Sequence, residues 1–201
     1  MTSRFDVAGH RWQRNPAPAL SRHQKDWLTR GGSLTRHLKT LGHVTLDVLA
    51  ERVVPADPDQ HACLGVPPRT PLWARDVLQS IDGVPMVVAH SVTPLRFSRS
   101  TWQAMRRLKT RPLADLLYFD RAVSRSILVS RALAPAHLLH RAARQQGHDP
   151  HLRARLWARR SVFLRHGAPL LVTEAFLPRF WRRLAQADGE ATQALSTPQT
   201  A

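Results

Sequence analysis

Residues 72–92 read LWARDVLQSIDGVPMVVAHSV. Two apolar, β-branched runs, Leu72–Ser80 and Val84–Val92, flank Asp82-Gly83, a dipeptide suited to the positive-φ positions of a type I′ turn. The stretch therefore predicts a β-hairpin. On its first strand Trp73, Arg75 and Val77 share one face, and Leu72, Ala74 and Asp76 share the other, because strand side chains alternate.

A second hairpin is predicted toward the C-terminus, where Trp157–His166 and Pro169–Leu177 meet across Gly167-Ala168. Val44–Val54 reads as a further strand running into the Pro55–Pro58 turn region, with a loop from there to about Pro71, and residues 121–131 read as one more strand carrying Val123, Ile127 and Val129. Between these lie helical segments. Ser21–Thr29 carries Trp27 and Leu28 and ends at Gly31-Gly32. Ser33 is a good N-cap for a helix with Leu34, Leu38 and Leu41, which Gly42 ends. Trp102, Met105 and Leu108 recur by threes over Ser98–Leu108, and Pro112 suits the first turn of a helix with Leu113, Leu116 and Leu117 as its apolar face. Pro135–Arg155 reads as a solvated amphipathic helix closed by a turn at 147–150. Hairpin-joined strands with helices before and between them imply an α+β domain, a single antiparallel β-sheet packed on helices. The expected organisation is an irregular N-terminal lead-in over 1–20, one domain over 21–185, and a disordered tail over 186–201, where Gln, Ala, Ser and Thr take over.

The chain has 201 residues, enough for one domain with an ordinary core, and its 43% hydrophobic content excludes overall disorder. Thirty Lys and Arg stand against 14 Asp and Glu, a formal charge of +16, so its partners should be anions. A lone Cys63 excludes an intramolecular disulfide framework and fits a reducing compartment. No apolar run is long enough to span a bilayer and the N-terminus lacks the apolar stretch of a secretory signal, so a cytoplasmic location is expected.

Glu174 is the most informative single residue, since it interrupts Leu170-Leu171-Val172-Thr173 and Ala175-Phe176-Leu177. In a strand it shares a face with Val172 and Phe176 and should project into an apolar interior or pocket. Arg75 should also face inward, and its planar fork suits a carboxylate. On spacing alone, a ligand pocket and a structural Arg75–Glu174 ion pair are equally good readings. Free N–H groups at the helix starts Ser33-Leu34 and Pro112-Leu113 are weak anion sites, as at any helix end. His137 with His140, and His148 with His151, repeat a one-turn spacing, but no third ligand is implied and no metal is expected. No nucleotide-binding glycine loop or G-x-S-x-G is present. Arg106-Arg107, Arg159-Arg160 and Arg182-Arg183 could touch phosphates, yet no nucleic-acid module frames them, and no nucleic acid is expected as a partner.

In order along the chain, Trp27-Leu28, Gly32-Ser33-Leu34-Thr35, Trp73-Ala74-Arg75-Asp76-Val77, Asp82-Gly83-Val84-Pro85, Ser91-Val92-Thr93-Pro94, Pro112-Leu113, Trp157-Ala158-Arg159-Arg160-Ser161 and Pro169-Leu170-Leu171-Val172-Thr173-Glu174-Ala175-Phe176-Leu177-Pro178 resemble the chorismate pyruvate-lyases. The resemblance spans roughly three quarters of the chain, from Trp27 to Pro178. It implies an antiparallel sheet with helical flaps over an internal pocket and conversion of chorismate to 4-hydroxybenzoate and pyruvate, without a cofactor, toward ubiquinone. It also implies that Arg75 and Glu174 are catalytic and substrate-binding residues, with Leu34 and Leu113 contacting the ligand. His90 stands where the family often has Arg and joins the substrate-binding set, where an imidazole would make ligand retention pH-dependent. Ala114 stands where the family usually has Gly, and Leu34 where some members have Met. The Arg-rich and His-rich stretch 131–155 is longer than usual. It would steer an anionic substrate or make weak peripheral contact with an acidic membrane, in either case more weakly as salt rises. A monomer is expected. Rival readings are a non-catalytic domain of the same fold that senses small aromatic acids, and a basic RNA-binding protein.

Overall fold

The computed structural model describes residue 7, residues 11–146 and residues 152–196. Seven strands among them form one sheet: β1 (Val44–Pro55), β2 (Pro71–Ile81), β3 (Val84–Pro94), β4 (Val123–Arg125), β5 (Val129–Leu133), β6 (Leu156–Arg165) and β7 (Ala168–Phe176). The order is β1-β2-β3-β7-β6-β4, with β5 also paired along β6, and every pairing is antiparallel. The α+β expectation holds.

The β2–β3 hairpin turns at Asp82 (φ 51°) and Gly83 (φ 78°), the positive-φ pair its dipeptide predicts. The second hairpin turns one residue earlier than expected. His166 (φ 48°) and Gly167 (φ 76°) occupy the turn, and Ala168 is already paired with Arg165.

The helices are α1 (Arg22–Thr29), α2 (Leu34–Leu38), α3 (Pro58–Leu64), α4 (Leu95–Ser98), α5 (Ala114–Leu117), α6 (Leu138–Gln146) and α7 (Pro178–Ser196). Ser33 caps α2, its hydroxyl accepting from the Arg36 N–H at 3.2 Å. Four expectations need correction. The single helix over 98–108 is instead α4 followed by a 3₁₀ segment, Gln103–Arg107. A recurrence of strictly three suits a helix with three residues per turn, and Trp102, Met105 and Leu108 are all buried. The strand over 121–131 is two short strands, and Ile127, lying between them, is exposed. The loop before Pro71 contains α3, started by a capping box in which the Asp57 carboxylate accepts from the Gln60 N–H while the Gln60 amide oxygen accepts from the Asp57 N–H. The expected tail from 186 is helical to Ser196. Among the described residues of the N-terminal lead-in, Val7 and Trp12 are buried in the core and Gln13 bridges to Ser130. The expected turn at 147–150, His148 and His151 lie outside the described residues.

The sheet is covered on both faces. On one, α3, α6 and Trp12 pack over Leu72, Ala74, Leu78, Val88, Val92, Val162, Leu171 and Ala175. The other face carries three separate apolar clusters, the smallest being Leu46, Val77 and Ala89. Trp27, Leu28, Leu34, Leu38, Phe180 and Leu184 cover Ile81, Val87 and Phe176. Trp102, Met105, Leu108 and Leu117 cover Trp73, Phe163, Leu170 and Val172. Burying each such Leu or Phe contributes roughly 1.5–3 kcal/mol, so both ends of this face are firmly closed. The strip between the two larger clusters holds Arg75, Gln79, Ser91 and Glu174 alongside the small Leu46, Val77 and Ala89 cluster.

Candidate active site

That strip is a cavity floored by β2, β3 and β7 and roofed by α2 and α5. Its lining includes Leu34, Thr35, Arg75, Gln79, Ser91, Leu113, Ala114, Tyr118, Arg125, Val172 and Glu174. Alternation puts them there: Arg75, Val77 and Gln79 on β2, Ala89 and Ser91 on β3, and Val172 and Glu174 on β7 point the same way. Leu34, Arg75, Leu113 and Glu174 are thus brought together.

Arg75 and Glu174 do not pair with one another. Arg75 is 2% exposed. Its Nε donates to Glu51 Oε1 at 3.2 Å and its Nη2 donates to the Lys109 carbonyl. Burial lowers its pKa, and the Glu51 carboxylate partly opposes that by favouring the charged form. Glu174 Oε2 accepts from Arg159 Nε at 2.7 Å. Arg159 is fully buried, and its Nη1 donates to the carbonyls of Trp27 and Arg30, each at 2.9 Å. The α1 C-terminus therefore fixes the cation that fixes the carboxylate. Arg75 and Glu174 each have their own counter-ion, which leaves the space between them for a ligand.

A polar latch crosses the mouth. Tyr118 Oη donates to the Gly32 carbonyl at 2.6 Å, while Arg125 Nη1 donates to the same carbonyl at 3.0 Å and to Tyr118 Oη at 2.8 Å. Arg125 Nε also donates to Ser161 Oγ at 2.8 Å, tying the latch to β6. Burial raises the Tyr118 pKa and lowers that of Arg125, so at neutral pH the phenol keeps the proton it donates. Thr35 Oγ1 donates to Gln79 Oε1 at 2.9 Å and joins α2 to the cavity floor.

His90 is not in the cavity, which corrects its place in the substrate-binding set. One residue from Ala89 and Ser91, it points through the opposite face of the sheet, where Nδ1 meets Asp76 Oδ1 at 2.5 Å and Nε2 meets Gln60 Nε2 at 3.0 Å. Burial works against ionisation of Asp76, but hydrogen bonds and charge from His90 and Arg52 outweigh it and hold the pKa below the ordinary value. Arg159-Arg160 is split in the same way. Arg160 faces the other side, donating to Asp59 at 2.7 Å and to the Val7 carbonyl, over the Trp12 ring. Sequence reasoning missed Arg125 and Tyr118 as cavity residues and Arg159 as the buried cation that holds Glu174. Strand alternation from Trp157 and Ser161 was a sufficient signal for Arg159.

An open antiparallel sheet with a partly closed cavity, in which the buried Arg75 guanidinium and the partly exposed Glu174 carboxylate have separate counter-ions, defines a protein that takes a small polar organic ligand. The sequence profile of the chorismate lyase family matches residues 9–186. A probable chorismate pyruvate-lyase of Bordetella avium is 47% identical over 173 residues, 86% of each chain, and one of Bordetella pertussis is 51% identical over 158 residues, 79% of this chain and 83% of that one. This chain belongs to the chorismate lyase family. A GntR-family transcriptional regulator from Bacillus cereus is 14% identical and superposes with a TM-score of 0.50, over 68% of this chain and 92% of that one, a likeness of fold alone. Among the described residues no helix is long and apolar enough to cross a membrane.

Proposed function

We propose that this protein is a cytoplasmic, monomeric lyase that converts chorismate into 4-hydroxybenzoate and pyruvate. Membership of the family and the two Bordetella relatives named for this activity support the reading. The observation that carries it to residues is that Arg75 and Glu174 line one cavity, each neutralised by a different partner.

The reaction breaks the C3–O bond of the enolpyruvyl ether and removes the hydrogen from C4. The C4 hydrogen leaves as a proton, the enolpyruvate that departs gains a proton at its methylene carbon to become pyruvate, and the ring becomes aromatic with its C4 hydroxyl retained. Aromatisation drives the elimination and no electron acceptor is consumed. The protein's work is to hold a reactive conformer and to stabilise charge moving toward the leaving group. Arg75 holds a substrate carboxylate with the guanidinium N–H groups that Glu51 and the Lys109 carbonyl leave free, and Glu174 accepts a hydrogen bond from the C4 hydroxyl. Arg159 keeps Glu174 oriented, while Leu34 and Leu113 flank the ring. The Tyr118–Arg125 latch closes α5 over the bound substrate. The product would feed ubiquinone synthesis.

Pyruvate release from chorismate, followed in a coupled assay, tests the assignment. Arg75→Ala should raise KM and lower kcat/KM by about tenfold or more, as expected for loss of a buried charged contact. Glu174→Gln should lower kcat. Unchanged kinetics in Arg75→Ala would remove that residue from the site. Tight binding of 4-hydroxybenzoate without turnover would favour a sensor domain.

A further inference from the structure

From Gly83 to Ala114 the sequence contains no Asp or Glu, whereas Arg96, Arg99, Arg106, Arg107, Lys109 and Arg111 fall within it. All six are exposed, and none pairs with a carboxylate among the described residues. Arg96 lies over the Phe97 ring at 4.5 Å and Arg106 over the Trp73 ring at 5.7 Å, with Arg106 Nη1 also donating to Ser98 Oγ at 3.2 Å, so neutral partners, not acids, hold these two in place. Beside this cluster stands Phe119, 79% exposed, far more than any other large apolar side chain described. Phe119 shares one surface depression with Thr101, Trp102 and Ala104, and a second with Ser33, Thr35 and Tyr118 at the mouth of the cavity. The nearby acids are few: Asp115, and Asp120, which is already paired with Arg165 at 2.7 Å.

We infer that the 95–121 edge is a docking face for an anionic lipid bilayer, the six cations lying against phosphate headgroups and Phe119 entering the boundary with the acyl chains. Each Lys or Arg near such a surface contributes roughly 1 kcal/mol, so a cluster of this size suffices for reversible binding. The protruding ring favours a bilayer over a nucleic acid. Phosphates alone would be met by the cations, and an exposed Phe gains from a lipid interface what it loses in water. This edge differs from the 131–155 stretch that composition singles out. It borders the cavity mouth, so a bound molecule would exchange ligand next to the membrane. The inference goes beyond the lyase reading and stands or falls separately from it.

Cosedimentation with phosphatidylcholine vesicles, with and without phosphatidylglycerol, tests it at near-physiological salt. The protein should partition onto the phosphatidylglycerol vesicles and not onto phosphatidylcholine alone. Arg107→Glu/Arg111→Glu should weaken binding by about tenfold or more, whereas Arg141→Glu/Arg144→Glu, the same charge change on exposed sites of α6 across the sheet, should weaken it by less than about threefold. Phe119→Ser should cost roughly fivefold. Equal losses in the two charge reversals would reduce the effect to net charge and overturn the inference. So would unchanged binding in Phe119→Ser, or tighter binding to single-stranded RNA than to the vesicles in the same buffer.

Discussion

Arg159 and Arg160 are identical in chemistry and adjacent in sequence, yet they serve opposite faces of the sheet. Arg159 reaches Glu174, and Arg160 ties Val7 and Asp59 to the far side. Arg159→Met would strand a carboxylate that is only 14% exposed, which should cost about 3 kcal/mol in chemical denaturation. Because Arg159 orients Glu174, Arg159→Met should lower kcat more than it changes KM, with part of the loss returning in Arg159→Lys. Unchanged kcat in Arg159→Met would leave Arg159 a purely structural role. His90→Gln should show the reverse pattern. It disrupts the buried contact with Asp76 and should lose about 1–3 kcal/mol of stability with KM within about twofold of the parent. A large KM change would return His90 to the ligand. Arg75 and Glu174 were legible in sequence as inward charges on apolar strands. Their partners were not, because which counter-ion a buried charge meets depends on cross-strand neighbours that periodicity along one strand does not name.

At the scale of elements, both hairpins and the capped start of α2 were legible because turn and cap chemistry is local. The first hairpin also makes a testable contrast between two glycines. A Cβ on Gly83 meets nothing within 4 Å, so Gly83→Ala bears only the cost of its φ of 78°, about 1 kcal/mol. A Cβ on Gly42 would fall 2.4 Å from an Asp82 carboxylate oxygen, and that carboxylate is held by the His43 N–H at 2.9 Å and by Arg183 at 2.7 Å. Gly42→Ala should therefore cost roughly 2 kcal/mol or more, and urea midpoints that rank the two variants the other way would refute this account of the turn. The loop reading missed α3 although Asp57, Pro58, Gln60 and Gly65 signal both of its ends. The helical end of α7 was missed for a different reason. Its Gln, Ala, Ser and Thr composition carries no apolar stripe, and the helix continues from two packed turns anchored by Phe180 and Leu184.

For the whole molecule, the two-faced sheet separates tasks, with the cavity on one side and a polar network buried within the main core on the other. His137 on that second side is the group whose titration should register in stability. Burial, aided by the Arg131 charge, lowers its pKa from 6.5 to about 4. The unfolded chain therefore binds more protons between those values, and stability should fall as pH drops from 6.5 toward about 4, by roughly 1–3 kcal/mol for this residue. The lowered pKa of Asp76 adds loss of the same sign at lower pH. His137→Gln should flatten the upper part of that dependence in urea unfolding measured across the window, and an unaltered slope would exclude His137 as its source. Net charge, legible from composition, could not say where the cations cluster, since the acid-free 83–114 stretch becomes a surface only once its apolar members are buried. Elimination on chorismate in this cavity is tested most directly by incubating the purified protein with chorismate and quantifying pyruvate together with the aromatic product, separated against 3- and 4-hydroxybenzoate standards. Equimolar pyruvate and 4-hydroxybenzoate, lost in Arg75→Ala and Glu174→Gln, is the predicted result; turnover no faster than the spontaneous rate, or a different aromatic product, would contradict it.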